Sequence, residues 1–75
     1  DRFQLLPNLV HSSFEIKTQM QKEVELQIID VQGVVIHQQS FKNNILLDAS
    51  AWANGTYYIQ IRSAQVLWNG KILKY

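Results

Sequence analysis

The chain has 75 residues, a net charge of +1, no cysteine and 47% hydrophobic residues. That is one small domain, stabilised by a packed apolar core and not by disulfides or a cysteine-ligated zinc. The near-neutral charge argues against duplex DNA as a partner, and no apolar run is long enough to span a bilayer as a helix.

The predicted elements are strands almost throughout. Arg2 to Leu6 is a short apolar opening, and Pro7-Asn8 punctuates it as an edge or a turn. Ser12 to Thr18 alternates, with Phe14 and Ile16 on one face and Ser13, Glu15 and Lys17 on the other. Gln19 to Lys22 is a polar connection. Glu23 to Val31 is the clearest strand: Val24, Leu26 and Ile28 share one face. Asp30-Val31-Gln32-Gly33 follows as a turn, because an aspartate can accept backbone N–H bonds two residues on and Gly33 can take a positive φ. Val34 to Phe41 returns as the second arm of this hairpin, and its β-branched start suits a pleated strand.

Asn43-Asn44 is a second turn, since asparagine tolerates the left-handed region. Ile45 to Asp48 is a short strand. Ala49 to Asn54 crosses over, and Gly55 closes the crossing. Thr56 to Arg62 is a strand with Tyr57, Ile59 and Ile61 on one face. A tyrosine at the start of such a strand can tie a sandwich corner to the backbone through its hydroxyl. Val66 to Tyr75 closes the chain, with Leu67 expected inward and Ile72 and Leu73 on opposite faces. Gly70 marks a bulge or a close backbone approach. Six or seven short strands at this spacing predict an all-β sandwich in a single domain, residues 1–75.

No catalytic constellation stands out. His11 neighbours Ser12 and Ser13, but nothing marks a third partner. The carboxylates have plain structural roles, with Asp30 and Asp48 as turn-formers. Acidic residues are too sparse for a calcium loop, and no glycine-rich phosphate motif occurs. No cofactor is expected, and no nucleic acid. Trp52 reads as an apolar plug in the corner. Trp68 and Tyr58, if exposed together, would suit stacking on a sugar. Lys71 and Lys74 with Tyr75 read as a small polar cluster on a solvated edge strand.

Four places in order resemble a known family. Leu6-Pro7-Asn8 matches the start of a Pro-Asn-Pro motif, with Leu9 in place of the second proline. Asp30, Gly33 and Ile36 match a hairpin motif, with Val34 where the family has arginine. Ile45, Leu47, Asp48, Ser50, Gly55 and Tyr57 match a corner motif, with Trp52 in a leucine position. Gly70-Lys71-Ile72-Leu73-Lys74 matches a terminal lysine-containing strand. From about Leu5 to Lys74 the chain resembles the type A C-terminal sorting domain of the type IX (Por) secretion system of Bacteroidetes. The resemblance implies a seven-stranded immunoglobulin-like sandwich of antiparallel strands without enzymatic activity. It implies a signal carried through the periplasm, recognised by the outer-membrane secretion machinery and removed by a sortase-like protease, with the cargo released or joined to lipopolysaccharide at the cell surface. The chain would then be a fragment of a longer secreted protein. Pro7, Asn8, Asp30, Gly33, Asp48, Gly55, Tyr57, Gly70, Lys71 and Lys74 are the motif positions expected to serve recognition. The C-terminal strand is expected to offer a free edge for a partner strand or a second copy. The alternative is an accessory carbohydrate-binding or adhesion sandwich using Trp68 and Tyr58.

Overall fold

Period-two alternation sets the interior. In the computed structural model, which describes residues 3–6, 9–19, 22–64 and 67–75, eight strands form and no helix occurs among the described residues. They are β1 (Phe3–Leu6), β2 (Leu9–Val10), β3 (Ser13–Thr18), β4 (Val24–Ile29), β5 (Val35–Phe41), β6 (Asn44–Asp48), β7 (Gly55–Arg62) and β8 (Leu67–Lys74). The expected count of about seven becomes eight through the two-residue β2.

Two sheets face each other, one in the order β1-β3-β6 and one in the order β2-β8-β7-β4-β5. Every pairing is antiparallel except β2 with β8. β1 and β2, close in sequence, lie in different sheets, so the start of the chain serves both halves of the sandwich. The architecture is an immunoglobulin-like β-sandwich.

Every strand contributes to the core, and five of them supply its deepest positions. Phe14 and Ile16 of β3, Leu26 and Ile28 of β4, Ile59 and Ile61 of β7 and Ile72 of β8 are almost wholly buried, as is Val10 of β2. Burying each such side chain is worth about 1.5–3 kcal/mol against leaving it in water. A domain this small depends on that contribution.

β5 is different. It is the outermost strand of the wider sheet, and of its residues only Phe41 is buried. Its inward positions His37 and Gln39 are polar and bond each other, His37 Nε2 to Gln39 Oε1 at 2.9 Å. A bulge also interrupts it. Ile28 faces His37, but Ile29 faces Val35, so Ile36 has no opposite residue. The bulge explains why Val34, Val35 and Ile36 keep no dry face and remain exposed.

Three expectations for β8 change. Leu67 lies outward and exposed, because Trp68 takes the inward position opposite Ile61. Gly70 sits in an unbroken register opposite Ile59, so it forms no bulge. The indole of Trp68 lies over it instead: a Cβ at position 70 would stand 2.5 Å from Trp68 Cη2. Lys74 is buried, not solvated, because it shares the inward face of Ile72.

Candidate functional site at one end of the sandwich

Strand direction brings the separate motifs together. β4 ends and β7 begins side by side, with Ile29 opposite Tyr58. β8 ends beside the start of β7, with Lys74 opposite Gly55. β2 pairs with that same end of β8, Leu9 with Leu73 and Val10 with Lys74. β6 ends opposite the start of β3, Asp48 with Ser13, and Ala49 N donates to Ser12 O. The Asp30–Gly33 turn, the Asp48–Tyr57 corner and the end of β8 therefore occupy one pole.

Each turn is held by bonds from its own backbone to its own side chains and carbonyls. Asp30 Oδ1 accepts from the amides of Gln32 at 2.9 Å and Val34 at 3.0 Å. The Gly33 amide donates to Asp30 O, and the Asp30 amide to Val34 O. Gly33 has φ +84° with open space where a Cβ would stand, so backbone conformation and not crowding calls for glycine there. Val34, in the arginine position of the motif, leaves this arrangement intact, since its amide supplies the bond to the aspartate.

The corner repeats the device. Asp48 Oδ1 accepts from the Ser50 amide at 2.9 Å. Bonding from the Ser50 amide, and then from its hydroxyl, holds the Asp48 carboxyl below its ordinary value. The Trp52 amide donates to Ala49 O. Tyr57 is buried, and its hydroxyl donates to Ala53 O at 2.6 Å. This is the corner bond expected from the sequence. The half-buried Trp52 ring packs between Phe14, edge-on at 5.8 Å, and Tyr57 at 5.1 Å. It plugs the corner from the side of the core.

At the C-terminal strand, the Tyr75 amide donates to Val10 O, and His11 Nδ1 lies 2.9 Å from Tyr75 O. Lys74 Nζ reaches the same carbonyl at 3.4 Å, its stem closing the end of the core. So the last residues of β8 are paired. The free edge expected there is confined to Leu67–Ile72, which no strand flanks on the side away from β7 among the described residues.

Two shallow grooves flank the pole. One, of about 230 Å³, runs between the Asp30–Gln32 turn and Ala53–Tyr57. The other, of about 490 Å³, is lined by Leu9, Thr56, Lys71, Ile72 and Leu73. Lys71 is exposed beside it. Of the ten motif positions, Asp30, Gly33, Asp48, Gly55, Tyr57 and Lys74 gather at the pole. Lys71 lies on the outer face opposite Tyr58, and Gly70 lies on the inner face. Pro7 and Asn8 fall outside the described residues.

The sugar platform does not form. Tyr58 is on the outer face of its sheet, while Trp68 is on the inner face, half-buried, with its ring 5.4 Å from that of Phe3. The sheet separates the two rings. Among the described residues no group of three metal-ligating side chains occurs.

Two signals for the site lay in the sequence unread. Trp68, Gly70, Ile72 and Lys74 fall at spacing two, which puts the lysine on the core face once Ile72 is inward. Trp-x-Gly within a strand is the pattern of an aromatic covering a glycine. The parallel pairing of β2 has no such signal, since two residues carry no period.

No curated protein matches the chain. A family model described as the secretion system C-terminal sorting domain matches residues 4–75, essentially the whole chain. The chain therefore belongs to the family of C-terminal sorting domains of the type IX secretion system, which act as C-terminal secretion signals for export across the outer membrane.

Proposed function

We propose that residues 1–75 form a single non-catalytic sorting domain at the end of a longer exported protein, and that the pole described above is its recognition surface. The observation that carries this reading is the convergence of three separate motifs on one end of the sandwich. A machine that accepts unrelated cargoes needs a surface common to all of them. Turns already held by Asp30, Asp48 and Tyr57 lose little conformational entropy on docking. In this reading Gly33 and Gly55 supply the turn conformations, and Lys71 offers the exposed charge. Lys74 closes the end of the core, and Gly70 lets Trp68 lie flat. Pro7 and Asn8 belong to the same motif set. The domain passes through the periplasm, engages the outer-membrane machinery, and is cut from its cargo by a sortase-like protease. The cargo is then released or anchored at the cell surface.

The test uses surface substitutions, because truncation confuses signal with fold. Removing Ile72 to Tyr75 deletes a fully buried side chain and the buried Lys74. A reporter carrying this chain at its C-terminus is expressed in a host with the type IX system. Lys71→Glu and Val31→Glu, both at exposed positions near the pole, are expected to hold the reporter in the periplasm while the melting temperature stays unchanged. Glu25→Lys at the far end is expected to leave export intact. Equal export of all three would place recognition elsewhere.

A further inference from the structure

The outer face of the five-stranded sheet is ordered in bands. Register places Asn69 of β8, Gln60 of β7, Gln27 of β4 and Gln38 of β5 in one row across four strands. On one side of this row stand Lys71, Tyr58, Ile29 and Val35. On the other stand Leu67, Arg62, Glu25 and Ser40. The row of four carboxamides ends at Gln38, which is exposed on the last strand of the sheet.

That last strand is a weakly protected edge of the sandwich. No strand pairs with the outer side of β5 among the described residues. From Val31 to Phe41 the chain has no Asp, Glu, Lys, Arg or Pro. Lysine and proline are common guards of sheet edges. The open part of β8 carries Lys71, and β6 is bounded by Lys42 and Asp48. The bulge at Ile36 blunts one end of β5, but His37 to Phe41 remains in regular register with β4.

We infer that β5 is a self-association edge, which pairs antiparallel with β5 of a second copy of this chain with Gln38 facing Gln38. A side chain that both donates and accepts is complementary to its own copy. This pairing continues the amide row without a break into the second sheet. It also sets His37 opposite Gln39 of the second copy, repeating across the interface the His37–Gln39 combination that already bonds within one strand. No like charges meet at the junction, because the edge has none. A strand of another protein would fit the open backbone but has no reason to match the amide row. The inference does not rest on the secretion reading.

The experiment is sedimentation of the 75-residue chain over a concentration series from about 10 μM to about 1 mM, the range suited to a small interface. The mass is expected to rise toward twice that of the monomer, and amide exchange at His37–Ser40 to slow as it does. Gln38→Lys sets two lysines face to face and is expected to weaken the dimer more than about tenfold. Gln60→Lys, on the same face but an interior strand, is expected to leave it. Should Gln38→Lys fail to fold, Ser40→Lys tests the same edge. A chain that stays monomeric up to about 1 mM overturns the inference. So does a dimer that survives both edge lysines, since another surface would then hold it.

Discussion

The two ends of the sandwich are built by different means. At the motif pole, polar side chains bond to backbone a few residues away: Asp30 to the amides of Gln32 and Val34, Asp48 to that of Ser50, Tyr57 to the carbonyl of Ala53. At the far end, side chains bond each other across strands. Arg62 pairs with Glu25 at 3.0 Å there. Asn44, at the start of β6 and so at the end away from the pole, bonds Glu15 of β3 at 2.8 Å, and within β3 Lys17 approaches Glu15 at 3.9 Å. A local bond to backbone fixes the path of the chain and persists when surface side chains move. An exposed pair holds two long side chains at a cost in entropy and is worth about 0–1 kcal/mol. A rigid end and a forgiving end follow from this difference, and the motif residues lie at the rigid one.

Substitutions at the two ends should therefore be unequal. Trp52→Ala removes the plug between Phe14 and Tyr57 and is expected to cost about 2–4 kcal/mol in chemical denaturation. A loss below about 1 kcal/mol would mean that the corner stands without its plug. Gly70→Ala drives a methyl into the Trp68 ring and is expected to cost about 1–3 kcal/mol. Adding Trp68→Ala should make the second change nearly free, and a double-mutant cycle reads that coupling directly. Tyr57→Phe deletes the corner hydroxyl bond and should cost about 0.5–1.5 kcal/mol while export survives. At the far end Arg62→Ala should cost less than about 1 kcal/mol, and less still in high salt. A larger loss there than for Tyr57→Phe would reverse the contrast.

The smallest effect concerns pH. The Asp48 carboxyl is held below its ordinary value of 3.8 in the folded chain. Its contribution is thus fully present above that value and is lost as pH falls through the lowered one. Asp48→Ala should remove part of the acid sensitivity of unfolding, measured by denaturation at pH 7 and at pH 3. An unchanged difference between the two would show that the Ser50 bonds do not favour the charged form.

Much of the fold was legible because burial follows local periodicity. Val24, Leu26 and Ile28 alternate with polar residues, and so do Phe14 and Ile16; both sets are buried. The turn at Asp30–Gly33 and the left-handed Asn43, at φ 72°, follow from side-chain chemistry alone. Leu67 failed because two large apolar neighbours competed for one inward position, and the partner across the sheet decided between them. Lys74 failed because charge was allowed to outweigh alternation. β2 and the gathering of the motifs at one pole depend on contacts between distant parts of the chain, and these no local pattern records.

The parallel pairing of β2 with the end of β8 has a consequence in time. Val10 O waits for the Tyr75 amide, a partner added to the growing chain long after it. Until then Val10 lacks the strand that seats it in the core, and the ends of β2 and β7 lack their neighbour. Closing so long a loop costs more chain entropy than closing the short hairpin turns. The sandwich thus completes only when translation has passed Lys74. A product that stops short of Lys74 carries no finished domain.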